Sequence, residues 1–130
     1  MDFSLTEEQR LLVRSVRTFV EQELYPYESE IEKENLVPVE LTKQIRDKAI
    51  RLGFYAANMP DDIGGGGLDA ISLVLFEREL GRAAFALQYL VARPSNILQA
   101  CVGDQREQYL LPCVRGEKID CLAMTEPDAG

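Results

Sequence analysis

The chain has 130 residues, enough for one domain, and 46% apolar content is ordinary for a sequence that buries a core. Its 14 Lys and Arg against 22 Asp and Glu give a formal charge of −8, which disfavours attraction to nucleic-acid phosphates or anionic lipid. No apolar run has the length of a membrane span, and the polar, acidic opening MDFSLTEEQR does not read as a signal peptide, so a cytoplasmic protein is expected.

From the amino terminus, Thr6 and Gln9 stand in capping-box spacing ahead of Leu12, Val16, Phe19, Val20 and Leu24. This spacing predicts an amphipathic helix that ends before Pro26. The acidic stretch YPYESEIEKENLV reads as a connecting loop with one further turn of helix. A second helix is expected from Pro38, carrying Leu41, Ile45, Ala49 and Leu52 on one face until Gly53. MPDDIGGGG then breaks the chain.

The helical pattern resumes at Leu68 with Ile71, Leu75 and Leu80, and the glycine of ELGRA stops it. Residues Phe85 to Val102 are apolar nearly all round, which predicts a buried helix interrupted at Pro94. Asp104 is placed as the cap of a short helix, DQREQYLLPCV, and KIDCLAMT has the length and alternation of a strand. The expected fold is therefore all-α, about five helices, ending in the first strand of a following β domain.

The chain contains no histidine, so imidazole-based triads, bases and metal sites are excluded within it. Cys101, Cys113 and Cys121 lack CxxC spacing and read as reduced core positions. Gly64 to Gly67 are followed by LDAIS, without the lysine and hydroxyl of a phosphate loop, so a mobile loop is expected there. Glu77 and Glu79, interleaved with Arg78 and Arg82, read as a solvated face or an interdomain salt bridge. Arg93, on the most apolar stretch, either neutralises an anion near a pocket or reaches solvent past Pro94. In MTEPDAG, Glu126 reads as an acceptor for local backbone N–H groups. Thr125, at a strand end before a proline and a glycine, can donate to a cofactor heteroatom.

Taken in order, FSLTEEQRLLVRSVRTFVEQEL, MPDDIGGGGLD, ERELGRA, QREQYLLPCVRGE and AMTEPDAG resemble the amino-terminal region of the flavin-dependent acyl-CoA dehydrogenases over essentially the whole chain. The resemblance implies a helical domain at 1–117 and the start of a middle β domain at 118–130. It also implies FAD as cofactor and α,β-dehydrogenation of an acyl-CoA, in which a carboxylate takes the α-proton and the flavin receives the β-hydride. Leu122, Met124, Thr125 and Gly130 would contact the flavin, and Tyr89, Leu90 and Arg93 would wall the acyl pocket. The catalytic base would come from a carboxy-terminal domain, so no catalytic residue is expected here.

A chain that stops inside this motif is expected to belong to a longer, homo-oligomeric enzyme with an electron-transferring flavoprotein as acceptor. Alone it is expected to be inactive and to expose apolar faces. The alternatives are a same-fold acyl-CoA oxidase or flavin monooxygenase, and a short non-catalytic helical partner module. The turn VGDQREQY is about two residues shorter than the family spacing, and Arg93 and Pro94 point away from a plain straight-chain acyl group.

Overall fold

The computed structural model describes residues 4–121, 123, 127 and 128. Six α-helical segments run through them: α1 (Glu7–Phe19), α2 (Tyr25–Glu34), α3 (Val39–Arg51), α4 (Ala70–Leu80), α5 (Phe85–Gln88) and α6 (Leu111–Val114). The first begins where its capping box predicts. The Thr6 hydroxyl accepts from the Gln9 N–H at 3.2 Å, and the Gln9 side chain accepts from the Thr6 N–H at 3.0 Å.

The chain does not leave the helix before Pro26. One π turn, Val20–Leu24, carries α1 directly into α2, and the segment expected as a loop is a ten-residue helix. The Tyr25 N–H bonds the Val20 carbonyl five residues back, immediately before the proline that has no N–H to give. The same solution recurs later. A π turn at Arg106–Leu110 ends with the Leu111 N–H on the Arg106 carbonyl, and Pro112 follows. The wider turn relieves the clash between a proline ring and the carbonyl of the preceding turn, so the helix bends instead of stopping.

Both α3 and α4 lie where the apolar spacing puts them. Ile45 and Ala49 are buried, although Leu52 falls past the end of α3 and is exposed. Asp69 caps α4 by accepting from the Ser72 N–H at 2.7 Å, and α4 packs on α1. Val16, Phe19, Val20 and Leu24 face Phe76 and Leu80 in one core. A chain of aromatic rings runs through it, Phe19 to Phe54 at 5.4 Å edge-on and Phe54 to Phe76 at 5.9 Å.

The long buried helix expected over Phe85 to Val102 is absent. Only α5 forms, followed by tight turns, a cis Arg93–Pro94 peptide and a 3-10 segment, Asn96–Ala100. A proline disfavours helical geometry in the residue before it as well as its own place in the ladder. Leu87 and Val91 are buried, whereas Phe85, Ile97 and Val102 are exposed. Nor does Asp104 cap the short helix: it lies within the helix, and the Gln105 side chain accepts from the Val102 N–H at 3.1 Å instead.

No strand occurs among the described residues, and part of the strand expected over KIDCLAMT lies outside them. A strand needs a neighbour to pair with, and the helices offer none. The described residues also contain no helix long and apolar enough to cross a membrane.

Candidate functional site

The four glycines do not form a loose loop. The N–H groups of Gly65, Gly66 and Gly67 bond the carbonyls of Pro60, Ala56 and Met59 at 2.9, 2.9 and 2.8 Å. A Cβ on Gly65 would stand 2.2 Å from the Met59 carbonyl oxygen, and one on Gly66 would stand 2.8 Å from the Ala57 Cα. Glycine is required by this close backbone packing, and the amides are already committed. They offer no cradle to a cofactor's phosphates.

The neighbouring stretch, residues 54–58, anchors the cis-proline segment. The Ala56 N–H donates to the Arg93 carbonyl at 2.7 Å, and the Asn58 side-chain amide donates to the Pro94 carbonyl at 2.8 Å and to Asn96 Oδ1 at 2.6 Å. These bonds turn Arg93 inward, where it is 6% exposed. Its guanidinium pairs with the Asp120 carboxylate at 2.9 Å and also donates to the Asp120 main-chain oxygen. It lies over the Tyr89 ring, 4.2 Å from the centroid. The other Asp120 oxygen accepts from the Ser95 N–H at 3.1 Å. Arg93 Nε is buried without a partner.

Of the two readings of Arg93, the structure favours the one in which it neutralises an anion. Tyr89, Leu90 and Arg93 line one cavity of about 90 Å³, joined by Thr42, Arg46, Tyr55 and Ile119. Burial pushes the Tyr55 phenol above its ordinary range, so it stays protonated, a donor at neutral pH. A larger groove of about 390 Å³ runs along α1 and the end of α3. Its acid, Glu23, is already engaged by Lys48, so the smaller cavity is the better candidate.

Glu79 is neither a solvated face nor an interdomain contact. It is buried within the core, gripped by Arg17 of α1 and by Arg78, and the Arg17 hydrogen bonds hold its carboxyl below the usual range. The cysteines divide: Cys113 is buried, Cys101 half-buried and Cys121 exposed. Only Cys113 fits the expected core position. No three potential metal ligands cluster among the described residues.

Leu122, Met124, Thr125, Glu126 and Gly130 lie outside the described residues. Sequence reading missed Tyr55 and Arg46 at the cavity and Asp120 as the partner of Arg93. Nothing local marks them, because Asp120 meets Arg93 across 27 positions.

The architecture is that of a helical domain, with a small, largely apolar cavity where the turns after α5 meet the residues before the TEPDAG stretch. The model of the acyl-CoA dehydrogenase N-terminal domain matches residues 6–117, and the chain belongs to that family. It is 35% identical over 130 aligned residues to the 3-(aryl)acrylate reductase of Clostridium sporogenes, covering 96% of this chain and 33% of that protein. It is 30% identical to the short-chain acyl-CoA dehydrogenase of Clostridium acetobutylicum, covering 100% of this chain and 35% of that one. The solved butyryl-CoA dehydrogenase of Megasphaera elsdenii superposes on the whole chain with a TM-score of 0.75 at 30% identity, over 35% of its own length. The chain thus spans about a third of the length of these relatives.

Proposed function

We propose that this chain supplies the helical wall of an FAD-dependent acyl-CoA dehydrogenase, residues 1–117 forming that wall and 118–130 opening the middle domain. The family match across 6–117 is the observation that carries the reading. Tyr89, Leu90 and Arg93 border the acyl group. Leu122, Met124, Thr125 and Gly130 contact the flavin ring, with the Thr125 hydroxyl as hydrogen-bond donor. The committed glycine-loop amides leave the cofactor's diphosphate to be held by groups other than this loop.

Flavin supplies the two-electron acceptor that side chains lack. The protein's own task here is to shape the acyl cavity, exclude water from it and hold the flavin-facing segment beside it. The base that takes the α-proton comes from the length the relatives have in addition, and so do most of the contacts of a homo-oligomer. An electron-transferring flavoprotein reoxidises the enzyme in the cytoplasm. Exposed Leu36, Val39, Ile71, Val74 and Phe85 give the helices apolar faces for those further contacts.

A second reading takes support from the Clostridium sporogenes relative, named as an acrylate reductase: the same site run in the direction of double-bond reduction. The test is to add acyl-CoA and enoyl-CoA thioesters separately to the full-length flavoprotein. Loss of the visible flavin band with acyl-CoA, and its return with enoyl-CoA, is expected, while the 130-residue chain alone gives no turnover. A full-length protein that carries no flavin, or flavin indifferent to every thioester, overturns the proposal.

A further inference from the structure

Among the described residues, the hydrogen bonds of the Arg93 guanidinium all go to Asp120. Nη2 meets the Asp120 carboxylate at 2.9 Å and also donates to the Asp120 main-chain oxygen, while the Ser95 N–H takes the other carboxylate oxygen at 3.1 Å. Asp120 is thus gripped by both side-chain oxygens and by its backbone. Among the described residues after Lys118, it makes the hydrogen bonds that tie the chain to the helical part. The grip leads back into the core. The Arg93 carbonyl accepts from the Ala56 N–H at 2.7 Å, the Ala56 carbonyl accepts from the Gly66 N–H at 2.9 Å, and the nearby Phe54 N–H bonds the Ala49 carbonyl of α3 at 2.9 Å. Ala56 is fully buried at φ +57°, a conformation that a residue other than glycine keeps only where its surroundings impose it.

We infer that Arg93 is a positioning residue: acting through Asp120, it sets the point from which the flavin-facing stretch 122–130 departs. The inference rests on the dehydrogenase reading proposed above and deepens it, because it assigns the charge of Arg93 to the segment beside the acyl group rather than to the acyl group itself. A buried ion pair adds little net stability over an apolar pair of the same volume, so stability alone does not call for one here. What it supplies is direction, since the planar guanidinium tolerates few orientations of its carboxylate. The Tyr89 ring, 4.2 Å from the guanidinium carbon, holds that plane from one face. Nε is enclosed without an acceptor, as befits a guanidinium aimed at Asp120 rather than at the greatest number of bonds. Thr125 follows Asp120 by at most about 18 Å of extended chain, so a fixed Asp120 bounds where the Thr125 hydroxyl reaches.

The test uses the full-length flavoprotein and three altered forms, Asp120→Ala, Asp120→Asn, and Arg93→Met combined with Asp120→Ala. Without any thioester, the FAD dissociation constant and the visible circular dichroism of the bound flavin are read first. Asp120→Ala is expected to change the dichroism and weaken FAD binding roughly tenfold, the scale of one lost hydrogen bond. With butyryl-CoA, the limiting rate of flavin reduction is expected to fall roughly 10–100-fold, the effect of a misplacement of about 1 Å, while half-saturation moves by less than about threefold. Asp120→Asn keeps the volume and an acceptor for the Ser95 N–H and is expected to lie between. The double form is expected to regain stability yet keep the altered dichroism and weak FAD binding; it is judged without thioester because Arg93 also borders the acyl group. Should Asp120→Ala fail to fold, Asp120→Asn and the double form carry the same comparison. Wild-type flavin dichroism, affinity and reduction rate in the folded Asp120 variants, or flavin defects that vanish with the regained stability, overturn the positioning role and leave the dehydrogenase reading standing. A wild-type full-length protein that carries no flavin overturns both.

Discussion

Arg17 on α1 holds the buried carboxylate of Glu79 on α4 through two hydrogen bonds, Nε to Oε2 at 2.9 Å and Nη2 to Oε1 at 3.0 Å. The two helices that share the core are thereby fixed in register at their one charged contact. Arg78 adds two more from the solvent side, Nη2 and Nε to Oε1 at 2.8 and 3.2 Å. A bidentate pair of this kind sets geometry as well as energy, because the planar fork tolerates few orientations.

The Glu79 carboxyl is held below its ordinary value of 4.5, first by the Arg17 hydrogen bonds and then by Arg78. A depressed folded-state pKa contributes stability that is fully present above the unfolded value and disappears as pH falls through the folded one. Unfolding free energy is therefore expected to fall as the solution is acidified below about the ordinary glutamate range. Glu79→Gln should cost about 2 kcal/mol at neutral pH, the scale of a hydrogen bond to a charged group, and flatten that part of the acid slope. Denaturant melts at several pH values read both effects. An unchanged acid slope in the variant would show that Glu79 does not carry it.

Gly65 should resist even alanine. Its Cβ would meet the Met59 carbonyl oxygen at 2.2 Å and carbon at 2.4 Å, which are backbone atoms fixed by the Gly67 hydrogen bond and cannot swing aside. Gly65→Ala is expected to destabilise by about 3 kcal/mol, the upper range for forced overpacking. Gly53→Ala provides the contrast. At φ +71° with no atom within 4 Å of the new methyl, it meets only the left-handed backbone cost of about 1 kcal/mol. Thermal melts of the two variants that coincide would contradict the assignment of the glycine loop as a close-packed element.

The helices that carry the core were legible because their signals are local. Thr6 with Gln9, the spacing of Ile45 and Ala49, and Gly81 after Leu80 each announce a start, a buried face or a stop within one or two turns. Prolines misled the reading where structure answered them without stopping. Pro26 and Pro112 each sit two residues past the end of a π turn, a device with no sequence mark of its own. Apolar content misled it over Phe85 to Val102, since exposed Phe85, Ile97 and Val102 look identical in sequence to core residues. At the site, Tyr89, Leu90 and Arg93 do share a cavity. Their partners Arg46, Tyr55 and Asp120 come from distant segments, and only the fold brings them together.

The three thiols should react at separate rates. Cys121 is exposed and Cys101 half-buried, whereas burial both covers Cys113 and pushes its thiol up, lowering the reactive thiolate fraction. Alkylation under native conditions followed by peptide mass mapping is expected to mark Cys121 first, then Cys101, with Cys113 labelled only as the protein unfolds. Equal labelling of Cys113 and Cys121 in the native protein would contradict the packing of α6 against the core.

The Arg93–Asp120 pair joins the cis-proline segment to the residues that precede the TEPDAG stretch, and its side chains are 6% and 12% exposed. Removing one partner of a buried pair leaves the other charge without compensation, so Asp120→Ala is expected to cost about 3–5 kcal/mol. The Ser95 N–H, which donates to the second Asp120 oxygen, should then exchange faster with solvent. Replacing both ends is different, because an apolar pair of similar volume need not be desolvated at a loss. Arg93→Met combined with Asp120→Ala should therefore recover much of the lost stability while leaving the Ser95 amide unprotected. Hydrogen exchange and denaturant melts on the three proteins separate the pair's electrostatic part from its anchoring part. If Asp120→Ala alters neither the melt nor the Ser95 exchange, the segment is held by something other than this latch, and Arg93 is free to serve the cavity alone.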